Sequence, residues 1–277
     1  MVVLWIFVVP KEIQNEFKEA LGVLEDSKIT GENETFDTDF YPYYQSLSTE
    51  GQSLYAQVYA NARAGETTFA PVVDVSIEEV ENVVKLVYYD HPELFWMDSG
   101  YSYKYNEKEI CVQITLKFNE TANDLDGAKK KFDEAAGKII EGAKGLSSDY
   151  EKERHVYMAI IQMTEYDSNA SMHQSPYSAL VNGKSVCAGY ARAFQYIMNE
   201  LGIPTYYCAG MVDGHAWNIV KLENGYYNVD LTMADKDGMY DTFLNRTDDS
   251  LGYSHRRSGY SVLLPKCTAK KYIQSEE

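Results

Sequence analysis

Three residue types in the second half of the chain could carry out acyl-transfer chemistry. Cys187 stands in the stretch Asn182-Gly183-Lys184-Ser185-Val186-Cys187-Ala188-Gly189-Tyr190-Ala191, where a turn gives way to an apolar run of helical period. Downstream come Gly214-His215-Ala216-Trp217-Asn218 and Tyr227-Asn228-Val229-Asp230. A thiol at a helix N-terminus lies where backbone N–H groups and the macrodipole favour negative charge. Free cysteine is only about 3% thiolate at pH 7. A neighbouring imidazole therefore completes a nucleophile by forming a thiolate–imidazolium pair, and a carboxylate orients that imidazole. By residue type alone each member also has an ordinary place: cysteine in a core, histidine as a satisfied strand residue, aspartate as a turn or cap.

These residues must be held by the elements around them. Ala191, Phe194, Ile197, Met198 and Leu201 form one apolar stripe, Gly202 supplies the stop and Pro204 prevents continuation, so a helix runs from Cys187. Gly183 ahead of it and Gly189 in its first turn would let backbone and substrate approach the sulfur. Thr205 to Val212, His215 to Leu222 and Tyr226 to Thr232 read as three consecutive strands. A two-residue Asn224-Gly225 turn would set Asp230 opposite Ile219 and leave His215 roughly 13 Å away along the strand, at about 3.3 Å per residue. Centring the turn on Leu222-Glu223 instead places Asp230 opposite His215 on the same face. The spacing predicts that shifted register, or a bulge.

Upstream, residues 26–48 are acidic, aperiodic and rich in Thr, Asp and Tyr, and read as an irregular arm. Helices are predicted from Thr49 to Gly65, from the Ser76-Ile77-Glu78-Glu79 capping signal to Asp90, over Asp124 to Gly142 and over Tyr150 to Tyr166. Thr67 to Val75 reads as a short strand. Tyr101 to Tyr105 and Ile110 to Phe118 form a hairpin around Asn106-Glu107-Lys108. Helices first, then an antiparallel sheet, is an α+β order. The expected division is an N-terminal helix and hairpin extension over 1–143 and a catalytic domain over 144–277.

The chain has 277 residues, 24 of them Tyr, with 45% apolar and 24% charged residues and a net charge of −17. That acidity leaves no basic surface for phosphates, which argues against a nucleic-acid partner. Cys111, Cys187, Cys208 and Cys267 form no C-x-x-C pair, so no structural zinc is expected, and their spacing fixes no redox compartment. Asp235-Lys236-Asp237-Gly238 reads as a polar turn rather than a calcium loop. No cofactor or metal is expected. The apolar run Val2 to Val9 is too short to span a bilayer and has no basic residue before it; it reads as a packing strand or as the tail of an export signal that starts upstream. No other segment is a membrane-span candidate, and oligomeric state is not readable.

The block from about Ser148 to His255 resembles the transglutaminase-like superfamily, which has a papain-like cysteine protease fold. The residues that carry the resemblance are Gly183-x-x-x-Cys187-x-Gly189-Tyr190-Ala191, Leu201-Gly202-Ile203-Pro204, Gly210, His215-Ala216-Trp217-Asn218 and Tyr227-x-Val229-Asp230-x-Thr232, with Phe243-Leu244 and His255 beyond them. The resemblance implies a nucleophile helix packed on an antiparallel sheet. It makes Cys187 the nucleophile, His215 the base and acid, and Asp230 the orienting carboxylate, with Gly189, Tyr190, Trp217 and Met233 lining the site. Met233 stands where the family usually carries Trp. Trp217 either shields the His–Asp pair or is plain core. The Cys187 N–H would be one oxyanion donor, and His173, Gln174 and Asn182 are candidates for the second. The implied partner is a peptide or protein amide, attacked to give a thioester that water or an amine resolves. The competing expectation is a catalytically silent binding or scaffold module at the cell surface. An extracellular or cell-surface setting is expected, with the cytoplasm as the alternative.

Overall fold

The computed structural model describes residues 29–273 except 213 and 239. The apolar run 2–9 lies outside the described residues. The chain divides into two compact units, one of residues 29–88 and 96–122, the other of 89–95 and 123–273.

In the first unit, α1 (Pro42–Gln45) precedes α2 (Thr49–Ala64). Ser48 caps α2 by accepting from Gly51 N–H, and Gly65 closes it in the left-handed region at φ 82°. Residues 29–48 are not a bare arm. Phe36 sits among Tyr41, Tyr44, Tyr55 and Tyr59 at centroid distances of 4.9–5.8 Å, so aromatic packing draws the segment onto α2. Three strands, β1 (Thr68–Phe69), β2 (Met97–Tyr105) and β3 (Cys111–Phe118), make an antiparallel sheet in the order β1-β3-β2, and α3 (Ile77–Asp90) lies between β1 and β2 in sequence. The strand expected over 67–75 stops at Phe69. There the Gln57 side chain donates to Ala70 C=O and accepts from Val72 N–H, both at 2.9 Å, and Pro71 has no N–H to offer a ladder.

The second unit begins with α4 (Leu125–Ala143), capped by Asp124, and α5 (Asp149–Met163), whose capping box pairs Ser148 with Glu151. Helix α4, expected to belong with the N-terminal extension, clusters instead with this unit. Its Phe132 packs on Phe95, Tyr177 and Tyr196, with ring centroids at 4.5, 6.4 and 4.8 Å. After β4 (Glu165–Tyr166) and α6 (Pro176–Leu180), β5 (Lys184–Ser185) pairs in parallel with β4 and runs directly into α7 (Cys187–Glu200). The antiparallel sheet β6 (Thr205–Ala209), β7 (Ala216–Leu222) and β8 (Gly225–Val229) follows, with β7 in the centre. The buried side of α7 lies on β6 and β7, where Asn218 Nδ2 donates 2.9 Å to Ala191 C=O. Helices α8 (Leu231–Asp237) and α9 (Asp248–Leu251) complete the unit. The architecture is α+β, with a helix that starts at the cysteine packed on an antiparallel sheet.

Buried polar groups tie the later loops to the helices. Glu153 of α5 is fully buried and accepts 2.7 Å from Asn245 Nδ2. Burial pushes its carboxyl up to about 8, against the opposing pull of the Asn245 hydrogen bond. All four cysteines are free thiols. No described helix is long and apolar enough to cross a membrane.

Candidate active site

Cys187 is the first residue of α7, and the N-cap Val186 provides no side-chain cap. The first-turn N–H groups are therefore not claimed by a capping side chain, which leaves the positive end of the helix facing the thiol. The turn in front of the helix is fixed from below. Ser185 Oγ and Val186 N–H both donate to His173 C=O, at 2.7 and 3.1 Å. Gly189 is required by this packing. A Cβ there would collide with Ser185 Oγ and come within 2.8 and 2.9 Å of the carbonyl oxygens of His173 and Ser175. On its other side the half-buried Cys187 packs on Ala188, Ala191, Tyr207 and Ala216.

His215 ends a tight turn that leads into the central strand β7. Gly214 takes φ 63°, His215 N–H donates 3.0 Å to Val212 C=O, and Gly210 N–H donates 2.8 Å to His215 C=O. Gly210 also leaves room for an indole, since a Cβ there would lie 2.6 Å from the Trp217 ring. Asp230 follows β8 and is the N-cap of α8, with Oδ1 accepting from Thr232 N–H at 2.9 Å and Met233 N–H at 3.0 Å.

The β7–β8 register differs from both expected forms. The ladder pairs Leu222 with Gly225 and ends at Asn218 opposite Val229, so the turn is Glu223-Asn224. Continued one step, it sets Asp230 across from Trp217, with His215 two positions further along the same face. The side chains close this diagonal, and His215 Nε2 donates to Asp230 Oδ2 at 2.6 Å. Diagonal cross-strand neighbours lie within reach of each other's side chains, so a one-residue shift from the Asn224-Gly225 turn suffices, and neither the full shift to Leu222-Glu223 nor a bulge is needed. With Nε2 committed to Asp230, Nδ1 is the ring atom left for the Cys187 thiol, which helps hold the imidazole up.

Burial pushes the His215 imidazole down, but the hydrogen bonds and charges of Asp230 and Cys187 outweigh it and hold the ring up at about 10. Burial likewise pushes Asp230 up, and the bonds from His215 and His255 overcome it to hold the carboxyl down at about 2. The pair is an imidazolium beside a carboxylate across the neutral range. A buried carboxylate costs several kcal/mol to desolvate unless its lone pairs are satisfied, and Asp230 receives four N–H donors. This arrangement can hold a proton next to the Cys187 sulfur and return it to a leaving amine.

Residues 136–231 match the sequence profile of the Transglutaminase-like superfamily. Over that stretch the chain is similar to transglutaminase-like domains. The match takes in Cys187, His215 and Asp230 and ends one residue past the aspartate. Three solved structures are similar to the chain. They are a TGase (15% identity, 60% of this chain and 50% of that chain covered, TM-score 0.33), a candidate cysteine protease from Cytophaga hutchinsonii (18%, 44% and 51%, 0.30) and a candidate protease from Parabacteroides distasonis (12%, 46% and 32%, 0.28). The chain thus spans about half or less of the length of these proteins. No curated protein matches the sequence.

Around Cys187, His215 and Asp230, the expected lining residues divide. Trp217 is fully buried. Its ring stacks on His215 (6.0 Å, 23°) and stands edge-on to His255 (4.9 Å, 73°), while its N–H donates 2.9 Å to Asn228 Oδ1. Met233 bears on the site through its backbone N–H. Tyr190 does not line an open site. It is fully buried, and its hydroxyl bridges Thr164 C=O and Asp235 Oδ2, each at 2.7 Å. Of the oxyanion candidates, His173 turns its Nδ1 to Ala170 C=O at 3.0 Å, and Gln174 and Asn182 are exposed. One residue went unassigned in the sequence reading: His255, whose Nε2 lies 2.8 Å from Asp230 Oδ2. Only its place in the resemblance pointed to it.

Proposed function

We propose that the chain is a cysteine-dependent hydrolase or acyltransferase acting on peptide or protein amides. The observation that carries this reading is the 2.6 Å His215–Asp230 hydrogen bond, with Cys187 at the start of α7 raising the same imidazole. In this reading the Cys187 sulfur attacks the amide carbonyl carbon. The oxyanion that forms faces the uncapped start of α7, with the Cys187 N–H as one donor. The His215 imidazolium passes its proton to the nitrogen as the C–N bond breaks, leaving a thioester and free ammonia or amine. The neutral ring then takes a proton from water or from an incoming amine, which attacks the thioester and releases the thiolate. Asp230 keeps its charge throughout and fixes the ring orientation.

An iodoacetamide-type probe tests the first step. Cys187 should be labelled faster than Cys111, Cys208 and Cys267, and the signal should vanish in Cys187→Ala. Labelling no faster than that of the buried thiols would sink the reading. Ammonia release from glutamine-containing peptides, measured with and without added amine, then separates hydrolysis from transamidation.

A further inference from the structure

We propose that His255 is a positioning residue, one that locks the Asp230 carboxylate so that Oδ2 stays aimed at His215. The inference rests on the catalytic reading of Cys187, His215 and Asp230. Asp230 Oδ1 is fixed by two backbone N–H groups at the start of α8. Oδ2 receives His215 at 2.6 Å from the site side and His255 at 2.8 Å from the interior. The His215 side chain is 17% exposed and exchanges its proton during turnover, whereas that of His255 is 3% exposed. The inner imidazole is held by its edge-on contact with Trp217 and by Phe243 at 6.4 Å.

The His255 donor does not depend on the charge of its own ring. Asp230 can only accept, so Nε2 carries a hydrogen in either state. Nδ1 lies 2.9 Å from Ser254 Oγ, and that hydroxyl also reaches Leu251 C=O at 3.1 Å. When the ring is neutral, Ser254 donates to Nδ1. When the ring is charged, Nδ1–H donates to Ser254, whose proton turns to Leu251. Nε2–H points at Asp230 in both cases. A second donor on Oδ2 also makes the carboxylate less basic, which leaves the shared proton on His215.

The test is the pH profile of Cys187 alkylation by iodoacetamide in the full chain, read by intact mass alongside thermal melting. His255→Leu should slow alkylation at pH 7 by about tenfold or more, the fold-change expected for loss of a charge-assisted hydrogen bond. It should also move the acid limb of the profile to higher pH, because Asp230 protonates more readily without this donor. His255→Gln, whose side-chain N–H can occupy the Nε2 position, should restore both; His255→Asn, whose N–H falls short, should not. The Gln and Asn pair carries the test if the Leu variant does not fold. A profile unchanged in His255→Leu, or identical for Gln and Asn, overturns the inference. His215→Ala is the reference. If it slows alkylation while His255→Leu does not, only the positioning role fails; if it has no effect, the catalytic reading fails and the role falls with it.

Discussion

His215 meets Asp230 on the diagonal of the β7–β8 pair, across the position of Trp217, through a 2.6 Å hydrogen bond. Because Asp230 is also the N-cap of α8, the carboxylate that orients His215 in the proposed mechanism also caps a helix, and substitutions can separate the two duties. Asp230→Asn keeps a capping oxygen, whereas Asp230→Ala removes it and should cost about 1 kcal/mol more in urea denaturation. Both should lose activity, by roughly 10²–10⁴-fold when the buried charge is removed. Equal stability of the two variants would count against the capping role.

The shifts at His215 and Asp230 set a pH window for stability. The folded His215 ring is held up at about 10, so its contribution is complete below its unfolded value of about 6.5 and lost as pH rises through 10. Asp230 is held down at about 2, so its contribution is present above about 3.9 and lost as pH falls toward 2. The stability gap between the parent chain and His215→Ala, taken from urea midpoints, should therefore be wide at pH 6 and nearly closed at pH 10.5. A gap independent of pH would contradict the ion pair.

Glu153 runs the other way from an ordinary carboxylate. Its folded value is raised to about 8, so its contribution is complete below about 4.3 and declines as pH rises to 8. The slope is at most about 1.4 kcal/mol per pH unit. Glu153→Gln keeps an oxygen for Asn245 Nδ2 and carries no proton, so it should flatten stability between pH 5 and 8 and be the more stable form at the alkaline end. Parallel pH curves for the two proteins would show that Glu153 does not titrate there.

Gly189→Ala opposes two effects of known size. Alanine is the better helix former by about 1 kcal/mol, but its Cβ would strike Ser185 Oγ and two backbone carbonyls. Overpacking against such neighbours costs about 1–3 kcal/mol, and the carbonyls cannot turn away without releasing Ser185 and Val186 from His173. Net destabilisation is expected, with slower Cys187 alkylation, because the same turn sets the sulfur in place. A more stable variant would show that the loop yields.

Much of this could be read in the sequence. The start of α7 at Cys187, its stop at Gly202 and the capping signal at Ser76 are local, and local chemistry decided them. The β7–β8 register was not local. Asn224-Gly225 is a strong turn signal, yet Gly225 opens β8 at φ 133°, where a Cβ would come 3.1 Å from Ala269, and the Asn224 side chain bonds the Tyr227 hydroxyl instead. Tyr190 looked like a site residue because of its neighbours, but helical geometry turns it inward toward Thr164 and Asp235. His255 was hidden for a different reason. It lies in a short 3-10 segment with no hydrophobic period, and only tertiary structure brings it to Asp230.

The backbone around Asp230 also bears on when the protein gains its chemistry during synthesis. Asp230 N–H donates to Phe243 C=O, Asn228 and Arg246 exchange two backbone hydrogen bonds, and His255 arrives later still. A ribosome that has delivered Cys187, His215 and Asp230 has not yet delivered the segments that hold the carboxylate in place. From residue 187 to residue 255 the nascent chain therefore carries Cys187 without every group that holds the Asp230 carboxylate. On the proposed catalytic reading, the site is complete only once residues near 255 have emerged.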